Sequence, residues 1–333
     1  MVVDDERIRL AEVTYAYPRQ AAPSLIDISL QVKAGEVLAV MGPTGAGKTT
    51  LVSLLNGLIP QHFEGQIQGH VTVCGLSTYG TRIQVLIEHV GLVLQDPETQ
   101  IFGITVQEDT AFGPSNLAYP REAILARVKS ALARVGLTGY EDRLTAFLSG
   151  GEKQRLAIAG VLAMQPEILV LDEPTSELDP AGRAEVLDTV EGLRRHQAVT
   201  VIYVEHEAED VLRLADRVAV MVDGRLAWQG RPQQLFRDVP LTRSFAIRPP
   251  QMAEVGYRLA QLELISAADI PLTVAEAEPV VRRVLNGRRM VPAPALAAAR
   301  VDRPALIEIS GLTHVYEGGI QALVGVDLTI GAG

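Results

Sequence analysis

The sequence is poor in cysteine, and this limits the chemistry open to it. Cys74 is the only cysteine among 333 residues, which excludes an intrachain disulfide and a metal site built from cysteines. This composition fits a protein of a reducing cytoplasm, although a secreted protein with a single cysteine would have the same count.

Basic residues are scarce relative to acidic ones. The chain has 30 Lys and Arg against 40 Asp and Glu, so its formal net charge is -10 at pH 7. This balance argues against nucleic-acid binding over the whole surface, and no run of Lys and Arg indicates a local basic groove. We therefore expect no nucleic-acid partner.

Long hydrophobic runs and a signal peptide are also missing. No apolar run approaches the roughly 18 residues of a membrane helix, and the longest candidate, LAIAGVLAMQPEILVL, is interrupted by Gln165, Pro166 and Glu167. The N-terminal residues MVVDDERIRL lack the basic-then-apolar order of a signal peptide. Any work at a membrane would therefore depend on partner subunits.

What is present is an alternation of strand and helix patterns. Residues 8–13 and 25–32 alternate apolar and polar side chains, which predicts antiparallel strands with one wet face. The runs EVLAVMG, EILVLDEP, TVIYVEH and RVAVMVDG are typical of strands buried on both faces of a parallel sheet. Helical patterns occupy residues 48–58, 121–135, 151–164 and 181–194. The order predicts an α/β fold with a small antiparallel subdomain.

The motif GPTGAGKT follows a predicted buried strand and precedes a predicted helix, which is the context of a phosphate-binding P-loop. Its glycines let backbone N–H groups surround phosphate oxygens, and the helix N-terminus adds partial positive charge. Lys48 would reach the β- and γ-phosphates, and the Thr49 hydroxyl would ligate Mg²⁺. The alternative is a glycine-rich turn that binds nothing. The predicted nucleotide-binding residues are Gly42, Pro43, Thr44, Gly45, Ala46, Gly47, Lys48, Thr49 and Thr50.

The run ILVLDEP ends a predicted buried strand on two carboxylates. Asp172, at the strand end, suits the second coordination shell of a Mg²⁺ ion, and Glu173 beside it is placed to polarise an attacking water. The alternative is a pair of acids that cap the following helix. The P-loop upstream favours the catalytic interpretation.

A second anion site is predicted where LSGGEKQR opens another helix. The residues are Ser149, Gly150, Gly151 and Glu152, which place a hydroxyl and unhindered N–H groups at a positive helix terminus. One nucleotide does not need two such sites far apart in one chain. Two facing domains do, because each then supplies half of a pocket.

The order of P-loop, Gln95, LSGGEKQR, LVLDEPTSELD and His206 resembles the nucleotide-binding domain of ABC ATPases over about residues 8–230. The resemblance implies a P-loop NTPase with a RecA-like parallel sheet core, an antiparallel β subdomain and a helical subdomain. It also implies ATP and Mg²⁺ as ligands. The signature string is specific to that superfamily.

The resemblance implies further roles, residue by residue. Gln95 matches the glutamine that touches Mg²⁺ and the water, and His206 matches the histidine that contacts the γ-phosphate. Asp179 matches an aspartate that crosses the dimer interface, and Tyr17 matches the aromatic that stacks on adenine. A solvated or core histidine and a core aromatic are the alternatives for His206 and Tyr17. The family more often has Ala where this chain has Glu177.

The segment LQDPETQIFGITVQEDTAFGPSN resembles the ATPases of energy-coupling factor (ECF) importers, which bring vitamins and transition-metal ions into prokaryotic cells. In that family the segment receives the coupling helices of a transmembrane subunit. The resemblance implies two membrane partners, this transmembrane subunit and a substrate-binding subunit. It also implies a peripheral location on the cytoplasmic face of the membrane. Two predicted helices after residue 230 resemble the C-terminal appendage of the same family.

The opening pattern returns near the end of the chain. IRLAEVTYAY at residues 8–17 matches IEISGLTHVY at 307–316, and LIDISLQVKAG matches LVGVDLTIGAG, which indicates an internal repeat. We predict an ABC domain at residues 1–230, a helical appendage at 231–288, a linker at 289–303 and the start of a second ABC domain at 304–333. A truncated chain or gene fragment is expected. The first domain would then pair with a second ABC domain from its own full-length repeat, a paralogue or a second copy.

Three functions compete. The favoured one is an importer ATPase in which Glu173 is the general base while Lys48, Mg²⁺ and the opposing signature helix stabilise the transition state. A soluble ABC ATPase of DNA repair or translation would usually carry a coiled-coil insertion or basic arms, and neither is evident in the sequence. A regulatory module without turnover is disfavoured because Glu173 and His206 are both present.

Overall fold

The computed structural model describes residues 6–20, 22–195, 199–286, 305–316 and 321–331. The chain divides into two compact units, residues 1–284 and residues 285–333. The predicted linker, residues 289–303, lies outside the described residues.

The strands are β1 (Glu6–Ala16), β2 (Leu25–Lys33), β3 (Val37–Met41), β4 (Gln66–Val73), β5 (Leu76–Ser77), β6 (Val90–Val93), β7 (Ile168–Asp172), β8 (Thr200–Val204), β9 (Arg217–Val222), β10 (Arg225–Gly230), β11 (Ala305–Val315) and β12 (Gln321–Gly331). The helices are α1 (Lys48–Leu55), α2 (Leu58–Gln61), α3 (Ile83–His89), α4 (Val106–Asn116), α5 (Arg121–Arg134), α6 (Gly150–Leu162), α7 (Pro180–Arg195), α8 (Ala208–Leu214), α9 (Pro232–Arg237), α10 (Val239–Ser244), α11 (Gln251–Gln261) and α12 (Val274–Leu285). None of the described helices combines the length and apolar character needed to cross a bilayer.

The predicted α/β architecture is confirmed by a six-stranded sheet of order β10-β9-β3-β8-β7-β6. β6, β7, β8, β3 and β9 run parallel, and β10 pairs antiparallel with β9. Every residue of β3, β7 and β8 is buried, as the continuous apolar runs predict. Because parallel strands share one carboxyl edge, the residues that follow β3, β7 and β8 are neighbours there.

A smaller antiparallel sheet of order β2-β1-β4-β5 forms the other β layer of the first unit. Its alternating residues pack inward together with β3, α1 and α2 in one apolar cluster that includes Ile8, Leu10, Leu25, Leu51 and Ile59. Burying a Val, Leu or Ile side chain stabilises a fold by about 1.5–3 kcal/mol. The wet face predicted for these strands is also present.

The helices after β10 share the core of the larger sheet. Leu235, Phe236, Val239 and Ala253 are buried in the same apolar cluster as β3, β7 and β8. Residues 231–284 therefore pack as part of the first compact unit.

The predicted helix at residues 48–58 is shorter in the structure. The helix α1 ends at Leu55, and Gly57 adopts a left-handed backbone with φ of 80°. Glycine reaches this conformation at little cost, and it ends the helix before the next turn, α2, begins.

Candidate functional site

The glycine-rich loop of residues 42–47 joins β3 to α1. Gly42 has φ of 142°, and a β-carbon there would lie 2.1 Å from the carbonyl oxygen of Met221, so the loop passes β9 with room for glycine alone. Gly47 has φ of 96° immediately before the first residue of α1. These turns bring the loop backbone to a helix N-terminus, an arrangement that favours anion binding.

Lys48 lies across this loop. Its Nζ donates to the carbonyl oxygens of Gly42 at 2.9 Å and of Pro43 at 3.1 Å, and the side chain is buried. Burial lowers the pKa of the ammonium, an effect opposed by the charges of Glu173 and Asp172. The loop therefore holds one buried cation close to two carboxylates. Around it, Thr44, Gly45 and Thr49 are exposed, whereas Ala46 and Thr50 are buried.

Asp172 ends β7 and is buried, with 6% of its surface exposed. Burial raises the pKa of Asp172, an effect that the nearby Thr49 hydroxyl opposes. Among the described residues, its Oδ1 has no hydrogen-bond partner. An unsatisfied buried acceptor costs about 1–3 kcal/mol, so this oxygen fits a bound cation such as Mg²⁺, whose preferred ligands are oxygens.

Glu173 and His206 meet at the carboxyl edge of the sheet. His206 Nε2 lies 2.7 Å from Glu173 Oε1, and the backbone N–H of Glu173 donates to the carbonyl oxygen of Val204 at 3.1 Å. Glu173 has φ of 49°, a left-handed conformation that is costly for a residue with a β-carbon. The strained turn holds its carboxylate beside the histidine, and such strain is typical of functional sites.

Sequence reasoning missed Glu205, which follows β8 and is 4% exposed. Its carboxylate accepts hydrogen bonds from the Tyr203 hydroxyl at 2.7 Å and the Thr175 hydroxyl at 2.9 Å. It also accepts from the backbone N–H groups of His206 at 2.7 Å and Glu207 at 3.2 Å. Glu205 thus fixes the backbone that carries His206. The signal in the sequence was an acidic residue directly after a fully buried strand.

The signature helix α6 lies beside Gln95 and not beside the P-loop. Gln95, Gly150 and Pro174 line a cavity of about 380 Å³, and none of residues 42–50 lines it. Lys153 of α6 forms an ion pair with Glu98, three residues after Gln95, which ties the two segments together.

Ser149 and Glu152 form a capping box at the start of α6. The Glu152 N–H donates to Ser149 Oγ at 3.3 Å, and the Ser149 N–H donates to Glu152 Oε2 at 2.8 Å. A β-carbon on Gly151 would lie 2.8 Å from the Cα of Gly182, so α6 approaches α7 closely there. Asp179 Oδ1 accepts from the Gly182 N–H at 3.0 Å and thereby caps α7. Within the chain, these residues have structural roles at helix ends.

Tyr17 lies next to the P-loop helix. Its hydroxyl is 3.3 Å from Thr50 Oγ1, and its half-buried ring stands edge-on to Tyr15 at 4.9 Å and to Phe63 at 6.3 Å. The structure therefore brings together Tyr17, the P-loop, Asp172, Glu173 and His206. It places the signature residues at a second location with Gln95.

Residues 25–176 match the family model described as ABC transporter. A Pyrococcus abyssi protein, provisionally assigned as an ABC transporter ATP-binding protein, is 44% identical over 252 residues, which cover 76% of this chain and 90% of that protein. The energy-coupling factor transporter ATP-binding protein EcfA2 of Methanospirillum hungatei is 41% identical over 271 residues, covering 81% of this chain and 66% of that protein.

Among solved structures, CbiO1 from Clostridium perfringens, described as part of the ABC transporter complex CbiONQ, is 34% identical. It aligns with a TM-score of 0.65 over 76% of this chain and 99% of its own. Other relatives are much longer. A Methanosarcina acetivorans protein with the same provisional assignment is 40% identical over 98% of this chain, which spans 55% of that protein's length.

Proposed function

The chain belongs to the ABC transporter ATP-binding family, and from that premise we propose that it binds ATP with Mg²⁺ and hydrolyses ATP to energise import through a separate membrane complex. The observation that carries this proposal is the meeting of a glycine loop, a buried lysine, a buried carboxylate and a Glu–His pair at one edge of the sheet. Each has a distinct task in phosphoryl transfer to water.

The P-loop would hold the phosphates. Backbone N–H groups of residues 42–47 and the N-terminus of α1 bind phosphate oxygens, and Lys48 exchanges its two carbonyl acceptors for the β- and γ-phosphates. Tyr17 would stack on adenine, since its hydroxyl lies beside Thr50 of α1.

Thr49 and Asp172 would hold Mg²⁺, and the family resemblance adds Gln95 as a third ligand. The unpartnered Oδ1 of Asp172 and the hydroxyl of Thr49 supply oxygen ligands close together, so these two residues fit the ion. Gln95 is exposed after β6 and lines the cavity with Gly150, so its part in holding the ion rests on the resemblance. When bound, Mg²⁺ neutralises charge on the phosphate oxygens.

Glu173 would be the general base. A water molecule attacks the γ-phosphorus in line, its oxygen forms the new bond to phosphorus as the bond to the β,γ-bridging oxygen breaks, and ADP leaves. The Glu173 carboxylate takes the water proton. His206, 2.7 Å from that carboxylate, orients it and contacts the γ-phosphate, and Glu205 fixes the His206 backbone.

A second ABC domain would complete the pocket. Ser149, Gly150, Gly151 and Glu152 lie at a different place from the P-loop of their own chain, so they would act on a nucleotide held by a partner domain. Asp179 would lie at the same interface. The partner domain would come from the full-length repeat, a paralogue or a second copy.

An exposed apolar surface would receive the transmembrane partner. Phe102, Ile104 and Phe147 are 68%, 71% and 76% exposed, and Phe102 stacks on Phe112 with ring centroids 5.4 Å apart. The Thr145 N–H donates to the Ile104 carbonyl oxygen at 3.0 Å, which brings the segment of Phe147 beside that of Phe102 and Ile104. Neighbouring large apolar side chains that are exposed mark interaction surfaces. With relatives named for energy-coupling factor transport and for the CbiONQ complex, we infer an ECF-type importer. Its substrate would be a vitamin, a vitamin precursor or a transition-metal ion, and the chain would sit on the cytoplasmic face of the membrane.

Glu173→Gln tests the catalytic assignment. The substitution keeps the side-chain size and removes the base, so ATP binding should be retained while turnover falls by about 10²- to 10⁴-fold. Steady-state phosphate release and nucleotide binding are measured together. Glu122→Gln, on the exposed start of α5, is the matched control and should leave both values unchanged. Turnover near wild type in Glu173→Gln would refute the role of Glu173.

Purification from native membranes tests the transport assignment. We expect the chain to co-purify with a polytopic membrane subunit, and Phe147→Ser should weaken that association because it removes an apolar contact. Association that survives Phe147→Ser unchanged would contradict the docking surface. Absence of any membrane partner would favour a soluble ABC ATPase.

A further inference from the structure

Three side chains with metal-binding chemistry meet at the edge of the core sheet opposite the catalytic edge. Cys74 follows β4, His89 is the last residue of α3 before β6, and Glu167 directly precedes β7. β6 and β7 are parallel neighbours, with Val90 paired to Ile168, so the residues before them emerge side by side. The function proposed above uses none of these three residues.

The ligand atoms of the three residues are close enough to share one ion. One ligand atom from each of Cys74, His89 and Glu167 lies within 4.8 Å of the other two, and all three residues are partly buried. A tetrahedral zinc site with bonds of about 2.0–2.3 Å separates its ligand atoms by roughly 3.3–3.8 Å. Binding would therefore draw the ligand atoms together by up to about 1.5 Å.

Neighbouring groups hold the Glu167 carboxylate in place. His89 Nδ1 lies 2.9 Å from Glu167 Oε1, while Arg7 Nη2 holds the other oxygen, Oε2, at 3.2 Å. Arg7 therefore orients the carboxylate and leaves Oε1 to other partners, as outer residues do around metal ligands. Glu6 lines the same surface cavity as Cys74, together with Arg7 and Arg9, and its Oε1 is buried without a hydrogen-bond partner among the described residues.

We propose that Cys74 Sγ, a ring nitrogen of His89 and a carboxylate oxygen of Glu167 bind a divalent transition metal of the Zn²⁺ class. Sulfur, imidazole and carboxylate are the ligands such ions take, whereas Mg²⁺ and Ca²⁺ prefer oxygen alone. Three protein ligands leave a fourth position for water, so the ion is exchangeable.

The ligand set decides which ions can enter. Thiolate and imidazole ligands favour ions of the Zn²⁺ class, whereas Mg²⁺ takes oxygen ligands. The Mg²⁺ that accompanies ATP would therefore not compete for this site.

The bound ion would join the two sheets of the first unit. Cys74 lies in the turn between β4 and β5 of the antiparallel sheet, whereas His89 and Glu167 precede strands of the core sheet. The site lies roughly 16 Å from Asp172, as five residues of strand separate Glu167 from it. Binding to the folded state alone stabilises it, so the ion should raise the melting temperature.

Cobalt spectroscopy on the whole chain tests the proposal. The reduced, chelator-treated protein is titrated with Co²⁺, and a thiolate-to-cobalt charge-transfer band is expected to saturate at about one equivalent and to disappear on addition of Zn²⁺. Because Cys74 is the only cysteine, that band reports this site and no other. Its absence in the wild-type protein would overturn the proposal without reference to any variant, and would identify the cluster as an ion pair beside a thiol.

Substitutions then assign the ligands. Cys74→Ser should abolish the band and the Zn²⁺-dependent rise in melting temperature, while His89→Gln and Glu167→Gln should each weaken Zn²⁺ binding by about tenfold or more. His70→Gln is the matched control. It removes an exposed imidazole from β4, the strand before Cys74, and should leave the cobalt band and Zn²⁺ affinity unchanged. Zn²⁺ affinity unaltered in His89→Gln and Glu167→Gln would also overturn the proposal.

Discussion

The hairpin of β1 and β2 and the hairpin of β11 and β12 pair their strands in the same register. Ile8 lies opposite Val32 in the first, and the matching Ile307 lies opposite Ile330 in the second. Three further pairs correspond in the same way: Leu10–Leu30 with Ile309–Leu328, Val13–Ile28 with Leu312–Val326, and Tyr15–Leu25 with His314–Leu323. The internal repeat read from the sequence thus extends to backbone geometry.

Even the irregularities of the two hairpins correspond. Glu12 and Gly311 occupy matching bulges with φ of 53° and 60°. The N–H of Glu12 donates to Ser29 Oγ at 3.1 Å, and the N–H of Gly311 donates to Asp327 Oδ1 at 2.6 Å. Different residues therefore satisfy the same exposed backbone group, because a bulge leaves one N–H outside the ladder.

The two hairpins differ in burial: the first is packed in a core and the second is exposed. Ile8 is 1% exposed and Ile307 is 47% exposed, although both are isoleucines at equivalent positions. In the first unit, α1, α2 and strands of the core sheet pack on the apolar face. Among the described residues, the elements that lie wholly within the second unit are the two strands. Local sequence thus determines the shape of the hairpin, whereas burial, and with it most of the stability, comes from distant parts of the chain.

The largest difference between the hairpins is expected in stability. Ile8→Ala should lower the free energy of unfolding of the first unit by about 2–5 kcal/mol, because it leaves a cavity in a closed core. Ile307→Ala should change it by less than about 0.5 kcal/mol. Urea denaturation followed by fluorescence measures the effect, since the single tryptophan, Trp228, belongs to the first unit.

Equal losses of unfolding free energy in Ile8→Ala and Ile307→Ala would contradict this difference between the hairpins. They would mean that the face of β11 and β12 is covered in solution. Leu25→Ala and Leu323→Ala form a second matched pair, with exposures of 0% and 39%. Leu25→Ala should lower the free energy of unfolding by more than Leu323→Ala does.

A second difference between the hairpins is expected in ATP affinity. Base–aromatic stacking contributes about 1–3 kcal/mol, so Tyr17→Ala should weaken ATP binding by about 5- to 140-fold. Tyr316→Ala should leave it unchanged, because Tyr316 is 60% exposed and its ring contact is His314 at 4.8 Å. Fluorescent-nucleotide titration of both variants measures the effect.

Tyr17→Phe separates stacking from packing. It keeps the ring and removes the hydroxyl that lies 3.3 Å from Thr50, so most of the ATP affinity should remain. Unchanged affinity in Tyr17→Ala would show that this ring is a core aromatic, the alternative that the sequence left open.

The family and the α/β fold could be predicted from sequence because their signals are contiguous. The P-loop, LSGGEKQR and LVLDEP each lie within a few residues, and buried parallel strands form unbroken apolar runs. The roles of Glu173, His206, Gln95 and Asp179 stay predictions. The structure adds that Glu173 and His206 are in contact, which their separation of 33 residues does not reveal.

The features missed by sequence reasoning depend on packing between distant segments. Glu205 gained its importance from four donors that converge on it only after β8 is placed in the sheet. Cys74, His89 and Glu167 are spread over 94 positions and meet because β4 ends where β6 and β7 begin. A single cysteine excludes a site made of cysteines, but it does not exclude a mixed one.

The smallest expected difference lies at the bulge itself. A left-handed backbone costs a residue with a β-carbon roughly 1–2 kcal/mol, and a substitution by glycine removes this cost. The greater freedom of glycine in the unfolded chain offsets roughly 0.5–1 kcal/mol of the resulting stabilisation. Glu12→Gly should therefore stabilise the first unit by about 0.5–1 kcal/mol, as measured by urea denaturation. Ala11→Gly, at the neighbouring position without a positive φ, is the control and should destabilise it by a similar amount. If both substitutions destabilise equally, the positive φ of Glu12 carries no strain, and the glycine in the second hairpin has no conformational advantage over the glutamate in the first.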